Sequence, residues 1–183
     1  MATGHIDPVP SHTGHNPFLR SVAAISTLAG WTAAAMIVAA VAITVQMIVI
    51  RYVFNGSTVW QTEAVIYLVI AATLIGLPYV QRLRGHVNVD LIPLALTGRT
   101  RYAMAMVTSI LSIVIVAIMV FYGFDSWHFA YSRGWTSDTI WAVRLWIPYA
   151  AIPIGFGLLL LQLIADLVAV IIGVDKPFGL EDN

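Results

Sequence analysis

SVAAISTLAGWTAAAMIVAAVAITVQMIVI, residues 21–50, is a run of 30 residues without a formal charge, bounded by Arg20 and Arg51. About 20 apolar residues in a helix cross a hydrocarbon core of about 30 Å. This run therefore reads as a membrane span, longer than required and so tilted or begun in the headgroup layer. Three further charge-free runs follow: 18 residues between Glu63 and Arg82, 23 between Arg101 and Asp125, and 21 between Arg144 and Asp166. The expected helices are Val22–Ile50, Val59–Val80, Tyr102–Phe124 and Leu145–Gly173. The runs lack period-two alternation and are too long for barrel strands.

Composition agrees. Of 183 residues, 60% are hydrophobic and 10% charged, against roughly a quarter charged in soluble domains. The expected fold is all-α: a four-helix integral membrane domain over 21–174. A flexible tail over 1–20 precedes it, and a short tail over 175–183 follows. Met1 to Asn16 contains no Lys or Arg, so it reads as a polar tail, not a cleavable signal peptide. Zero net charge argues against a nucleic-acid partner. The lack of cysteine excludes disulfides, thiol nucleophiles and cysteine metal sites.

Loop arginines and lysines set the expected orientation. With the N-terminus inside, the cytoplasmic segments hold Arg20, Arg82, Arg84, Arg99, Arg101 and Lys176. The other side holds Arg51, Arg133 and Arg144. Six against three places both termini in the cytoplasm. Trp60, Trp127, Trp135, Trp141 and Trp146 then fall near the outer interface, a layer that amphipathic indoles favour.

Local chemistry marks the helix ends. Asn55-Gly56 can supply a left-handed turn after helix one, and Thr58 with Gln61 has capping-box spacing for helix two. Pro148 and Pro153 each remove a backbone donor early in helix four and predict a bend. Val87–Leu96 and Asp138–Trp146, the latter with Asp138 as N-cap, read as short interfacial helices. Irregular loops folded on the bundle are the alternative.

Candidate chemistry is sparse. A haem needs axial ligands that face each other at one depth. His86 follows helix two and His128 lies near the outer end of helix three, so the two sit on opposite sides and cannot share a haem within one chain. His12 and His15 in the tail form no fixed metal geometry. Glu63, in the first turn of helix two, is favoured by the helix dipole and can pair with Arg51 or remain solvated. Asp166 reads as an interface salt-bridge partner for Arg20 or for Arg82 and Arg84. Gly30 and Ala34 have small-xxx-small spacing, for packing within this bundle or against another subunit. No serine–histidine–acid group, phosphate loop or metal-protease motif is present, so an enzyme is not expected, nor is a cofactor or a metal.

The stretch from Trp60 to Arg101, WQTEAVIYLVIAATLIGLPYVQRLRGHVNVDLIPLALTGRTR, resembles the small permease subunit of tripartite ATP-independent periplasmic (TRAP) transporters. The matching residues are Trp60 and Glu63 of a Trp-x-x-Glu helix start, the basic Arg82 and Arg84, and Gly85, His86, Val87, Val89 and Asp90 of a Gly-His-Val-x-Val-Asp stretch. The start of helix four, WIPYAAIPIGFGLLLLQL, adds Trp146, Pro148, Tyr149, Ile152, Pro153 and Gly155. The resemblance implies a sodium-driven importer of organic acids or related solutes in the bacterial inner membrane. Its implied partners are a large permease subunit, a periplasmic solute-binding protein and membrane lipids, and this chain is implied to be a scaffold without an active site of its own. The rival reading is a membrane anchor of a respiratory or other redox complex.

Overall fold

The computed structural model describes residues 16–83 and 98–174. Its elements are α1 (Pro17–Val53), α2 (Val59–Arg82), α3 (Gly98–Ser132), a single turn α4 (Trp146–Tyr149) and α5 (Ala151–Ile171). α1, α2, α3 and the α4–α5 unit are each long and apolar enough to cross a membrane, and only a small share of each span is fully buried. The exposed surface is apolar, with Leu28, Trp31 and Val38 of α1 and Val107 and Phe121 of α3 among its large side chains. Such a bundle requires lipid or another membrane protein around it.

Helices start and stop where backbone chemistry allows. α1 begins ahead of the expected Val22 because Asn16 caps it, accepting a 3.1 Å bond from the Phe18 amide, with Pro17 in the first turn. It ends beyond Ile50 at Asn55, whose φ of 48° is left-handed, and the Gly56 amide bonds back to the Ile50 carbonyl at 3.1 Å. α3 continues past the expected Phe124 through Asp125 to Ser132. A charge marks the edge of the hydrocarbon layer but does not end a helix. The end comes at Gly134 (φ 60°), where the Gly134 amide bonds the Tyr131 carbonyl and the Trp135 amide bonds that of Ala130. This is a Schellman closure. Gly173 (φ 70°) and Val174 close α5 in the same way on Val170 and Ala169.

Two local expectations are corrected. Thr58 sits at the N-cap of α2, but its side chain makes no capping bond, and Gln61 is turned into the bundle, 1% exposed. No capping box forms. Asp138–Trp146 is not a helix. Residues 135–145 fold as a hairpin-like loop, with an antiparallel bridge between Thr136 and Arg144 and Ala142 held at φ 48°. The Ser137 amide donates to the Val143 carbonyl at 2.9 Å, and the Leu145 amide to that of Trp135 at 2.8 Å. These cross-loop bonds replace the i to i−4 ladder. The expected helix over Val87–Leu96 lies outside the described residues.

Pro153 has no amide to offer the Tyr149 carbonyl; α4 and α5 meet at Ala150, whose backbone stays right-handed helical (φ −59°, ψ −27°) and whose amide bonds the Trp146 carbonyl at 3.1 Å.

α2 packs on α1 and α5, and α3 packs on α5 and α4. Small residues set the seams. A β-carbon on Gly30 would run into the Tyr79 ring, one on Gly76 would lie 3.4 Å from the Ala33 β-carbon, and one on Gly123 would lie 2.8 Å from Ile152. Gly30 therefore serves packing within the bundle, while Ala34 faces outward. Leu19 and Val22 at the start of α1 cluster with Ala165 and Ala169 near the end of α5. The two ends of the described chain thus share one side of the bundle.

Candidate functional site

Polar side chains gather on that shared side, where α1, α2 and α5 meet. Ser26 of α1 is 1% exposed and donates to Gln162 Oε1 of α5 at 2.6 Å. The Gln162 amide nitrogen donates to Asp166 Oδ1 at 2.7 Å, one turn on. The other carboxylate oxygen of Asp166 accepts from Gln81 Nε2 of α2 at 3.0 Å. Beside this chain, Arg82 Nη1 donates to the Ala23 carbonyl at 3.0 Å and to the Thr27 hydroxyl, and Thr27 in turn donates to the Ala23 carbonyl at 2.7 Å. The last turn of α2 is thereby fastened to α1 by a guanidinium and to α5 by an amide–carboxylate bond. In an apolar surround such bonds are retained because the broken state leaves polar groups unpaired.

The cluster has a carboxylate, two amides, two hydroxyls and a guanidinium, each linked to another helix. Among the described residues no group of three or more His, Asp or Glu is placed to hold a metal ion. The arrangement is suited to fixing helix positions.

The other end of α2 has its own constellation. Trp60 meets Trp141 edge to face, with centroids 6.2 Å apart. The Glu63 carboxylate accepts from the Ser137 hydroxyl at 3.2 Å. Of the two readings of Glu63, an ion pair with Arg51 or a solvated carboxylate, the ion pair is not formed; Glu63 is half-buried and its carboxylate meets Ser137. Aromatic contacts continue through Phe124–Trp127, Trp127–Tyr131, Tyr131–Trp146 and Phe129–Trp135. The five tryptophans of the expected interface, Trp60, Trp127, Trp135, Trp141 and Trp146, do lie at one end of the bundle. His128 stacks on Phe124 within the same group.

The sequence-predicted residues therefore divide by place. Trp60 and Glu63 sit at one end of α2 and Arg82 at the other. Pro153 and Gly155 lie between, where α5 crosses α2. Gly155 is buried, and a β-carbon on it would lie 2.6 Å from the Leu74 carbonyl oxygen, so only glycine permits this approach. Arg84, Gly85, His86 and Asp90 lie outside the described residues.

Sequence reading missed Ser26, Gln81 and Gln162. One signal was available: Gln162 and Asp166 stand four apart in an otherwise apolar helix and so share a face.

A helix start that anchors a loop, a glycine seam and an arginine-fastened helix end are all structural devices on a four-span membrane bundle. A family model for the DctQ component of tripartite ATP-independent periplasmic transporters matches residues 40–173. The chain belongs to that family. That family is a component of transporters, so the redox-anchor alternative is set aside. A DctQ-family relative, the C4-dicarboxylate TRAP transporter small permease protein of Vibrio cholerae serotype O1, is 24% identical over 133 residues. That alignment covers 61% of this chain and 57% of the relative. The match begins within α1, so Ser26, Thr27 and the rest of the Arg82 attachment on α1 lie ahead of the matched residues.

Proposed function

We propose that this chain is the small membrane subunit of a sodium-driven, binding-protein-dependent secondary transporter that imports organic acids or related solutes. The observation that carries the reading is the DctQ-family match across residues 40–173. Its partner in the membrane is a large permease subunit, which holds the solute and sodium sites. A periplasmic solute-binding protein delivers the solute. The role of this chain is to stay still: an elevator-like domain of the large subunit moves against it. The fastening of α2 to both α1 and α5 by Arg82, Gln81 and Asp166 supports a stationary role, because it resists sliding between those helices.

The excess of arginine and lysine beside Arg20, Arg82 and Lys176 supports a bacterial inner-membrane orientation with both termini cytoplasmic. The four-helix domain then runs over 21–174, between cytoplasmic tails at 1–20 and 175–183. Arg82 holds the bundle together. Arg84, Gly85, His86 and Asp90 form the cytoplasmic loop that docks on the large subunit and on lipid phosphates. Trp60, Glu63, Pro153 and Gly155 shape the bundle that presents it.

Reconstitution tests this. The large subunit should co-purify with this chain at one-to-one stoichiometry in mild detergent. Proteoliposomes with both should take up solute from the binding protein under an inward sodium gradient. Full uptake by large subunit and binding protein alone would overturn the scaffold role.

A further inference from the structure

The loop between α3 and α4 ends in a tip that the fold leaves uncovered. Ile140 is 93% exposed, and its neighbour Trp141 is 43% exposed. Residues 139–143, Thr-Ile-Trp-Ala-Val, are uncharged and stand between Asp138 and Arg144.

The depth of this tip is fixed by α2. That helix has 24 residues, roughly 36 Å at 1.5 Å per residue, slightly more than the hydrocarbon core of about 30 Å. Its first turn, with Trp60, therefore lies at one membrane boundary and Arg82 at the other. Trp141 is 6.2 Å from Trp60, centroid to centroid, so it lies at the same boundary. The Ser137–Glu63 bond holds the base of the loop against the second turn of the same helix.

The base of the loop closes on itself. The amides of Ser137, Ala142 and Leu145 bond to carbonyls within the loop, and the Val143 amide bonds the Ser137 hydroxyl at 3.2 Å. These bonds fix the shape of the base from which the Ile140–Trp141 tip projects.

We propose that the Ile140–Trp141 tip is a membrane anchor, inserted at the headgroup–acyl boundary of the leaflet that holds the α2 N-terminus, with phospholipid as its ligand. Ile140 enters the acyl layer, the Trp141 indole lies at the boundary beside Trp60, and the charged base at Asp138 and Arg144 stays among the headgroups. The proposal does not depend on which solute the transporter carries or on how the large subunit docks.

The chain contains no cysteine, so Ile140→Cys and Asp138→Cys each create one labelling site, both at exposed positions. Each variant is labelled with bimane. The full chain is reconstituted in phosphatidylethanolamine–phosphatidylglycerol vesicles, with and without lipids brominated near the glycerol end of the acyl chain. The expected result is blue-shifted emission at position 140, loss of fluorescence with brominated lipid, and resistance to aqueous iodide. Position 138 should be the more iodide-sensitive of the two. Iodide quenching at 140 without a bromolipid effect would place the tip in water and overturn the proposal. Protection that appears only after adding the large subunit or the binding protein would overturn it too, and would mark the tip as a protein contact.

Discussion

Gly155 of α5 presses its α-carbon against the backbone of Leu74 in α2, close enough that a β-carbon would come within 2.6 Å of the carbonyl oxygen and 2.7 Å of the carbonyl carbon. Backbone atoms cannot turn aside as a flexible side chain can, so the two helices must separate to admit one. Gly155→Ala should destabilise the bundle by about 1–3 kcal/mol. Gly157→Ala is the control, since nothing lies within 4 Å of a β-carbon there. Thermal unfolding of the detergent-solubilised chain should fall for the first variant and stay at the native value for the second.

The Ser26–Gln162 bond joins residues that are 136 positions apart. Interhelical bonds of this kind contribute about 0.6 kcal/mol on average in membrane bundles and at most about 1.7. Ser26→Ala and Gln162→Leu should each destabilise, and the double variant should cost less than the two together. A double-mutant cycle by denaturant unfolding in micelles reads that coupling. Strict additivity would mean the bond adds nothing to the helix junction.

Variants of the loop after α2 separate docking from simple charge orientation. Asp90→Ala and His86→Ala remove no Lys or Arg, so the topology signal is intact. Both should lower sodium-driven uptake in proteoliposomes and weaken co-purification with the large subunit, while the binding protein binds solute normally. Native values in both assays would leave only charge orientation as the role of this loop.

Orientation has its own measurement. Single cysteines at Ser11 and Asn183 should resist impermeant thiol reagents in intact cells. One at Ser132, exposed at the end of α3, should react once the outer membrane is permeabilised. The reverse pattern would invert the bundle and put the tryptophan-rich end in the cytoplasm.

Much of this architecture was legible because lipid imposes one-dimensional rules. Charge-free runs located each span, and Asn55 marked a helix end. The failures have physical causes. Asp125 marked the edge of the apolar zone, yet α3 continues until Gly134 supplies a left-handed closure. Residues 138–146 carry helix-compatible side chains, but a left-handed Ala142 and the Ser137 hydrogen bonds select a loop, and neither is encoded by residue spacing. Ser26, Gln81 and Gln162 went unseen because their partners lie on other helices. A polar residue in an apolar span announces that it needs a partner without saying which. Trp60 and Glu63 were identified through a motif, but their ties to Trp141 and Ser137 depend on a loop that the sequence pattern did not reveal.

The order of packing has a consequence for biogenesis. α1 and α2 are neighbours in the chain and in space, so they can associate as soon as both have been inserted. α3 packs on α4 and α5, and both are synthesised after it. During translation α3 therefore waits in lipid without the helices it packs against, its Gly123 notch empty until Ile152 arrives. A chain cut short before Trp146 would leave that helix unescorted, the sort of exposed segment that membrane quality-control proteases remove.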